Sequence, residues 1–311
     1  MQSNANIYTN VEDSPTAEKE SWLSILSQTV KVGIIKSNLI PMLAGLTLAL
    51  YTYHYSLLPK LPNIILAFIG SALVIGAACA YNNLYDRDID AVMERTKNRP
   101  TVTGSIKPAT VMWLAIIMTI VGLGALYFAS PLSSLMGFLG MFFYVVPYTM
   151  WTKRRTIYNT EVGSISGAIP TLIGWTAIKP DLSHPAIWGL FFIMLIWQMP
   201  HFYAIALRKY DEYKAANVPM LPVVKGMKRT YLQTNIYLVL LIASSFLMAP
   251  LSWGLTIVAL ILGVIWLILS LRIYNKADTK KWAKTLFIFS LIHMTALFST
   301  VIVYSLIGMF L

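Results

Sequence analysis

The sequence predicts an all-α integral membrane protein in which nine transmembrane helices cross the bilayer, with the N-terminus inside and the C-terminus outside. Three observations predict this fold: the composition, nine apolar segments, and the positions of the basic residues. Of 311 residues, 57% are hydrophobic and 12% are charged, whereas a soluble domain carries about 25% charged residues. This composition excludes a disordered chain and almost any water-soluble globule. It also excludes the usual kind of nucleic-acid-binding domain, so no nucleic-acid partner is expected.

The nine apolar segments are close in length to the about 20 residues that a helix needs to cross about 30 Å of hydrocarbon. In chain order they are residues 37–53, 64–81, 111–129, 134–150, 162–178, 187–205, 234–249, 253–273 and 286–311. Most connections between them are short. The loops after the second and sixth segments are longer, at about 25 to 30 residues each, and long polar loops in a compact protein are usually functional.

The orientation follows from the basic residues, because Lys and Arg in short loops are retained on the cytoplasmic side. The N-terminal tail and the loops after segments two, four, six and eight contain 22 of the 24 basic residues. Only Lys60 and Lys179 are left for the opposite face. Loss of any middle segment would destroy this partition, so the charges support the segmentation as well as the orientation. The single cysteine, Cys79, excludes a disulfide framework and a cysteine-rich metal site.

The chain is predicted to consist of a disordered polar tail, residues 1–21, and a single transmembrane domain, residues 22–311. The tail has no apolar core and an excess of acidic residues, so it does not resemble a cleavable signal peptide. Apolar residues with helical spacing follow between Trp22 and Val30. This pattern is typical of a short helix in the membrane interface, or equally of an extension of the first span.

The two long inside loops share the phrase Pro-x-Val-x-Gly followed by a lysine. The phrase occupies residues 100–104 with Lys107, and residues 222–226 with Lys228. The loops lie on the same side of the membrane and four spans apart. This arrangement predicts a pseudo-repeat of four-helix units around a central cavity, because repeats in membrane proteins place binding sites at the interface between the halves.

The first long loop contains the richest set of polar residues. Asn82, Asp86 and Asp90 are four apart, so a helix that continues past the second span aligns them on one stripe, while Asp88 projects elsewhere. Carboxylates on adjacent turns repel one another unless a cation lies between them, and oxygen ligands are those that Mg²⁺ prefers. Three basic residues follow shortly after: Arg95, Lys97 and Arg99. The loop is therefore predicted to hold Mg²⁺ and a diphosphate, or else to be a solvated loop whose acids balance its bases.

Other polar residues near the inner face are further candidates. Asp211 and Glu212 in the second loop are possible metal ligands, but adjacent acids on a helix point about 100° apart, and a wet loop is an equal alternative. Lys153 and Arg154 after the fourth span are candidates for a further basic wall around a diphosphate, or for lipid contact and topology. His201 in the sixth span is a candidate haem ligand, although an interior hydrogen-bonded histidine is the simpler interpretation.

Several phrases together resemble the UbiA-type intramembrane prenyltransferases, and within them the protohaem IX farnesyltransferases, also called haem O synthases. The phrases occupy residues 82–90, 93–96, 99–100, 148–156, 163–170, 174–175, 200–202 and 215–224. They occur in the order found in that family and cover about residues 30 to 230, so the resemblance is specific. The N-terminal 20 residues and the last three spans add little to it.

The resemblance implies a nine-helix fold around a lipid-accessible cavity. It also implies transfer of the farnesyl group of farnesyl diphosphate to the 2-vinyl group of haem B, with addition of water, to give haem O and diphosphate. By that similarity Asn82, Asp86 and Asp90 match the first, Mg²⁺-binding motif. The residues that match diphosphate-binding positions are Arg95, Lys97, Arg99, Lys153 and Arg154. The second motif departs from the superfamily pattern, because Ala215 follows Asp211 where a second aspartate is expected and Glu212 replaces an aspartate. By the same similarity, Asp211 and Glu212 match a second metal position.

The resemblance also implies a multi-pass protein of a bacterial plasma membrane with the active site toward the cytoplasm. Haem A synthase and oxidase assembly proteins are then expected partners. Two alternatives stay open at this point. The first is a prenyltransferase for an aromatic quinone precursor. The second is a secondary transporter, which the position of Glu161 disfavours, because this acid is the closest to any span and yet lies at its inner edge.

Overall fold

The computed structural model describes residues 21–275 and 278–309, and within these residues the regular structure is entirely helical. The predicted polar tail, apart from its last residue, lies outside the described residues. Eight helices of the described part are long and apolar enough to cross a membrane. The sequence-based prediction of a multi-helix membrane protein is therefore confirmed at this level.

The helices follow one another through short connections. They are α1 (Trp22–Thr29), α2 (Val32–Thr52), α3 (Leu57–Tyr85), α4 (Arg87–Val92), α5 (Pro100–Thr103), α6 (Pro108–Ala129), α7 (Pro131–Phe143), α8 (Lys153–Arg155), α9 (Asn159–Ile178), α10 (Pro185–Arg208), α11 (Tyr210–Ala215), α12 (Leu221–Ser244), α13 (Trp253–Ile273) and α14 (Thr279–Gly308). A π-helical segment, Tyr144–Thr152, joins α7 to α8, so that these three elements form one continuous span.

The first helix is separate from the first span. Ser21 caps α1, since its Oγ accepts a hydrogen bond from the Ser24 amide at 3.2 Å. Lys31 then adopts a left-handed conformation with φ of 52°, which interrupts the helix before α2 begins at Val32. Of the two interpretations of residues 22–30, the short separate helix is the one found.

The second span begins seven residues earlier than predicted, at Leu57, because two polar residues near its outer end have partners in neighbouring helices. Lys60 Nζ donates to the Ile178 carbonyl oxygen at 3.2 Å, and Asn63 Nδ2 donates to the Ala129 and Ala177 oxygens at 2.8 and 3.2 Å. These are terminal carbonyl groups of α6 and α9 that lack a partner within their own helix. Lys60 and Asn63, which as polar residues predict a loop, therefore belong to α3.

The central helix α9 corresponds to the fifth predicted span, although it is not among the eight helices that are long and apolar enough to cross a membrane. Its 20 residues reach about 30 Å. It packs against α2 at very close range: an ideal Cβ at Gly174 would lie 1.9 Å from the Met42 oxygen, and one at Gly45 would lie 2.0 Å from the Thr171 oxygen. Most of its residues are buried by other helices, which is why it needs less hydrophobicity than a helix that faces lipid.

The last helix closes the bundle by packing against both α2 and α10. Tyr51 of α2 and Tyr304 of α14 bring their hydroxyl oxygens within 3.3 Å. On the other side, the Trp197 indole of α10 donates to the Ser290 backbone oxygen of α14 at 3.0 Å. The first and last long helices of the described residues are therefore neighbours.

Candidate functional site

The predicted acidic stripe lies at the junction of α3 and α4 and is buried. Asn82, Asp86 and Asp90 are 3%, 0% and 3% exposed. The α3 helix ends at Tyr85, but the Asp86 amide still donates to the Asn82 oxygen at 2.9 Å and the Asp90 amide to the Asp86 oxygen at 2.8 Å. The four-residue spacing therefore survives the change of helix.

Each buried carboxylate of the stripe is paired with a basic side chain from another element. Lys153 Nζ contacts Asp86 Oδ2, and an Arg154 nitrogen lies 3.4 Å from Asp86 Oδ1. Arg99 forms a 2.5 Å ion pair with Asp90. A buried charge is stable only when it is paired, and loss of one partner leaves the other without compensation. The structure thus brings together five of the predicted site residues: Asp86, Asp90, Arg99, Lys153 and Arg154.

Asp88 points away from the stripe, as predicted, and its side chain is 65% exposed. It accepts two hydrogen bonds from Arg154, at 2.6 and 2.7 Å, in a bidentate arrangement. The hydrogen bonds from Arg154 hold the pKa of Asp88 at about 2, below its usual value. The Arg154 guanidinium also lies over the Tyr85 ring, 4.8 Å from its centroid. Asp88 therefore fixes Arg154 at the edge of the acidic stripe.

Sequence reasoning missed one cation of this site, Lys31. Its Nζ donates to Asn82 Oδ1. The amide of Asn82 is held in that orientation because its Nδ2 donates to Asp86 Oδ2 at 2.7 Å and to Thr149 Oγ1 at 3.0 Å. Burial lowers the pKa of Lys31 to about 8, and the nearby charges of Arg99 and Lys153 act in the same direction. Lys31 precedes the first span and was counted there only as a charge that sets topology. Its left-handed backbone is the local feature that turns it inward, and nothing in the sequence signals that conformation.

The resulting cluster has four cationic side chains, Lys31, Arg99, Lys153 and Arg154, and three carboxylates, Asp86, Asp88 and Asp90. The excess positive charge suits a polyanionic ligand. We name this set, together with Asn82, the charged cluster.

The oxygen atoms of the charged cluster fit Mg²⁺ by their chemistry. The stripe offers one amide oxygen and two carboxylates, all of them hard ligands. The described residues contain no group of three or more acidic, histidine or cysteine side chains that would form a complete metal cage. This agrees with Mg²⁺ in phosphate chemistry, since that ion is usually bound through one or two carboxylates and completes its shell with water and substrate phosphate oxygens.

The second long loop approaches the first, but its two acids are placed differently. Glu212 Oε1 accepts a 2.6 Å bond from Lys209, and Glu212 Oε2 accepts a 3.4 Å bond from the Arg95 amide. Burial opposes ionisation of Glu212, but the hydrogen bond from Lys209 holds its pKa below the usual value. Asp211 is exposed. A buried apolar cluster joins the two loops: Ile89, Met93, Ala206, Val218 and Met220.

The two remaining basic residues of the prediction, Arg95 and Lys97, are exposed and lie outside the charged cluster. Lys97 forms a surface ion pair with Glu94 at 2.6 Å, and these side chains are 46% and 75% exposed. The spacing of three residues on a helical turn is sufficient to explain that pair.

His201 lies in the C-terminal half of α10 and is 9% exposed. Its Nδ1 is 2.7 Å from Ser290 Oγ of α14. Its ring is stacked on the Trp197 ring, with centroids 4.6 Å apart. It is thus a hydrogen-bonded interior histidine. It lies on α10, whose C-terminal end is part of the apolar cluster that joins the two loops.

Comparison with known proteins places this site within a family. A sequence profile described as the UbiA prenyltransferase family matches residues 38–292. The chain belongs to the UbiA prenyltransferase family. Its UbiA relatives include protoheme IX farnesyltransferase 1 of Bacillus cytotoxicus, which is 68% identical over 286 residues and is matched over 92% of this chain and 94% of its own length. Protoheme IX farnesyltransferase 2 of Bacillus subtilis is 45% identical, over 94% of this chain and 96% of its own length.

Solved structures with the UbiA fold have the same architecture at low identity. A structure described as digeranylgeranylglyceryl phosphate synthase superimposes with a TM-score of 0.73 at 18% identity, over 93% of this chain and 99% of that one. A UbiA homologue from Archaeoglobus fulgidus, bound to GPP and Mg²⁺, superimposes with a TM-score of 0.68 at 15% identity, over 90% of this chain and 99% of that one. The UbiA fold of this chain is therefore established by its sequence and its structure.

Proposed function

We propose that this UbiA-family chain is a protohaem IX farnesyltransferase, which transfers the farnesyl group of farnesyl diphosphate to the 2-vinyl group of haem B and gives haem O. The observation that carries the chemistry is the charged cluster, in which Asp86 and Asp90 are buried and paired with cations from α8 and the first loop. The choice of acceptor rests on relatives up to 68% identical that carry the protoheme IX farnesyltransferase name.

In this proposal, Asn82, Asp86 and Asp90 hold Mg²⁺, and the basic side chains of the charged cluster bind the diphosphate. When bound, Mg²⁺ supplies Lewis-acid stabilisation of the departing phosphate oxygen. Lys31, Arg99, Lys153 and Arg154 add positive charge where negative charge develops as the bond between farnesyl C1 and oxygen breaks. Their partial burial strengthens this effect, because electrostatic interactions are less screened away from water.

The electron pair of the broken bond leaves with the diphosphate, so the allylic farnesyl group becomes an electrophile. The terminal carbon of the haem vinyl group then forms a bond to farnesyl C1, and the positive charge moves to the vinyl carbon next to the porphyrin. A water oxygen bonds to that carbon and loses a proton, which leaves the hydroxyl-bearing side chain of haem O. No strong general base is required for this sequence, which agrees with the predominance of acids and cations in the charged cluster.

The test is a reaction of the purified chain with farnesyl diphosphate, haem B and Mg²⁺, followed by chromatography and mass measurement of the haem products. We expect a new haem whose mass exceeds that of haem B by one farnesyl group and one hydroxyl group, together with released diphosphate. Transfer only to an aromatic quinone precursor added in a parallel reaction would contradict the proposed acceptor. Uptake of a substrate into vesicles without any covalent product would favour the transporter alternative and contradict the enzyme.

We further propose that Arg95 and Lys97 assist diphosphate binding and that Asp211 and Glu212 form a second metal position, as the family pattern implies. The contact between Glu212 and the Arg95 amide supports a role near the first loop. Lys97 and Asp211 lie at the surface, so these assignments require the two loops to close over the bound diphosphate.

The proposed topology has nine spans, with α9 as the fifth, the N-terminus inside, and the charged cluster on the cytoplasmic side of a bacterial plasma membrane. Residues 22–311 then form one domain, which the contact between α2 and α14 supports. Single cysteines placed by Leu58→Cys and Lys281→Cys in a Cys79→Ala background provide the test. We expect a membrane-impermeant thiol reagent to label only the first in intact cells and the second only after lysis. The opposite pattern would contradict the orientation.

The pseudo-repeat of four-helix units around a central cavity is also part of this proposal. The two Pro-x-Val-x-Gly phrases support it through their backbone. Both end at a glycine with positive φ, 81° at Gly104 and 72° at Gly226, and both begin with proline in the first turn of a helix. The family resemblance also implies haem A synthase and oxidase assembly proteins as partners, which co-purification from a membrane that contains these proteins would test.

A further inference from the structure

The hydrogen bonds around Ser290 determine which nitrogen of His201 carries a proton. Ser290 Oγ lies 2.5 Å from the Phe287 carbonyl oxygen and 2.7 Å from His201 Nδ1. Two oxygen atoms approach this closely only with a hydrogen between them, and the serine hydroxyl alone has one to give. Ser290 therefore donates to Phe287, and its Oγ can only accept from His201. The neutral imidazole is thus protonated at Nδ1, which leaves the lone pair on Nε2.

Two aromatic rings stack on the same imidazole. Trp197 stacks on one face at 4.6 Å between centroids with an interplanar angle of 19°, and Phe287 lies at 5.3 Å and 26°. Trp197 is itself fixed by its indole bond to the Ser290 backbone oxygen. The ring is therefore held by two stacked rings and by a hydrogen bond at Nδ1, and these contacts do not involve Nε2.

The Nε2 atom is also accessible, in contrast to the other buried histidine of the described residues. Both ring nitrogens of His293 are fully enclosed and have no hydrogen-bond partner, whereas neither nitrogen of His201 belongs to that class. No other hydrogen bond of the described residues involves His201, so its Nε2 is unpartnered yet not enclosed. A fixed tautomer, a clamped ring and an accessible lone pair are the features of a histidine that ligates a metal.

The surroundings of this edge suit a flat, amphiphilic metalloporphyrin. Phe202, at 5.3 Å from the imidazole and 37% exposed, offers an apolar surface. Arg208 lies two helical turns further on the same side of α10. Its guanidinium is 4.4 Å from the Phe287 centroid, and it forms no ion pair with the described residues. The Arg208 guanidinium is therefore available to form an ion pair with a carboxylate of a ligand.

The position along α10 agrees with the reaction. Ala206, five residues beyond His201, packs in the apolar cluster that contains Ile89 and Met93 of the first loop. Asp90 lies between those two residues in sequence and belongs to the charged cluster. A porphyrin held at His201 is therefore bound to the same helix that contacts the first loop.

We propose that His201 ligates the haem iron through Nε2, that Ser290 is the positioning residue that fixes this tautomer, and that Arg208 pairs with a haem propionate. This proposal rests on the proposed function, since it assigns the acceptor site of that reaction. It makes the iron itself a recognition element, so that the porphyrin ring alone binds less tightly than the iron porphyrin.

The experiment measures binding without farnesyl diphosphate, so that it is independent of catalysis. The full chain in detergent is titrated with haem B and, in parallel, with metal-free protoporphyrin IX, by absorbance and by quenching of tryptophan fluorescence. For His201→Ala we expect a loss of haem affinity of at least about tenfold, as for lost metal-ligand contacts, and a change of less than twofold for metal-free protoporphyrin. Added imidazole should restore the haem spectrum, and His201→Gln should lose affinity in the same way. Arg208→Gln should weaken both porphyrins equally.

Ser290→Ala should retain a histidine-ligated haem but shift the iron–histidine stretching frequency of the ferrous form, because the ligand loses its hydrogen bond at Nδ1. Ser290→Thr, which keeps the hydroxyl, should restore it. The matched control is His54→Asn, which removes an exposed histidine whose φ of 52° asparagine tolerates. It should leave all titrations unchanged.

An unchanged haem spectrum and affinity in both His201 variants would overturn the proposal, and so would equal losses for haem and metal-free protoporphyrin. Haem O formation by a chain that binds haem without histidine ligation would leave the proposed function intact and refute this site alone. Absence of haem O formation by the unmodified chain would instead refute the function.

Discussion

The buried ion pair between Asp86 and Lys153 allows its structural and its chemical roles to be separated. Asp86 is 0% exposed, and the Lys153 side chain is 15% exposed. In Asp86→Asn the amide retains the shape of the carboxylate, but one accepting oxygen becomes a donating NH2 group and Lys153 loses its main counter-charge. Removal of one partner of a buried pair costs about 3 to 5 kcal/mol of unfolding free energy. We expect about 3 kcal/mol here, because Lys153 retains some exposure to water.

A double-mutant cycle tests this value. Asp86→Asn and Lys153→Met are each expected to destabilise the detergent-solubilised chain, and the double variant is expected to recover at least about 1 kcal/mol relative to the sum of the two. Unfolding is followed by tryptophan fluorescence. The matched control is the surface ion pair between Glu94 and Lys97. Its loss in Glu94→Gln should lower the unfolding free energy by no more than about 0.5 kcal/mol.

Activity should not recover with stability. The single and double variants are all expected to lose at least about 100-fold in haem O formation, as for loss of one group that stabilises transition-state charge. Additive stability effects within the cycle would refute the ion-pair argument. Near-normal haem O formation by Asp86→Asn would refute the role of Asp86 in the reaction, whatever its stability.

Three further predictions concern the cluster and the packing that supports it. Lys31→Met should raise the KM for farnesyl diphosphate about tenfold, the effect of losing one charge-assisted bond, while Lys31→Arg should restore part of it; an unchanged KM would exclude Lys31 from the diphosphate site. Chelation of divalent metal by EDTA should abolish haem O formation, and Mg²⁺ should restore it, whereas full activity in EDTA would contradict the metal requirement. Gly174→Ala should reduce the yield of folded chain, because the new methyl group would overlap the Met42 carbonyl. Gly124→Ala is the control and should not reduce the yield, because there is open space around Gly124. Equal yields of the two variants, measured by gel filtration, would show that α2 and α9 can move apart.

The membrane fold was predictable because the length and polarity of a span are local properties. The interior helix α9 was found for the same reason, despite its polar residues. Local patterns also predicted the stripe formed by Asn82, Asp86 and Asp90, since spacing on a helix needs no knowledge of the rest of the chain. Helix ends were less predictable. The start of α3 depends on Lys60 and Asn63, whose partners lie on other helices.

The pairing within the charged cluster was not predictable. The contact between Asp86 and Lys153 joins residues 67 apart in the sequence, and that between Lys31 and Asn82 joins residues 51 apart. A sequence that contains many inside cations does not specify which of them turns inward. Lys97 illustrates the reverse case, because it follows the acidic stripe closely and yet forms a local surface pair with Glu94.

The ion pairs within the charged cluster have a consequence for the order in which ligands arrive. A divalent cation alone must compete with Lys153 and Arg99 for Asp86 and Asp90, and a polyanion alone must draw those cations away from buried carboxylates. When both ligands bind together, the metal pairs with the carboxylates and the polyanion pairs with the cations, so no buried charge is left unpaired. Metal and anion should therefore bind synergistically, each raising the affinity for the other by the same factor. Without a polyanion, the charged cluster would then stay largely metal-free even in a solution that contains Mg²⁺.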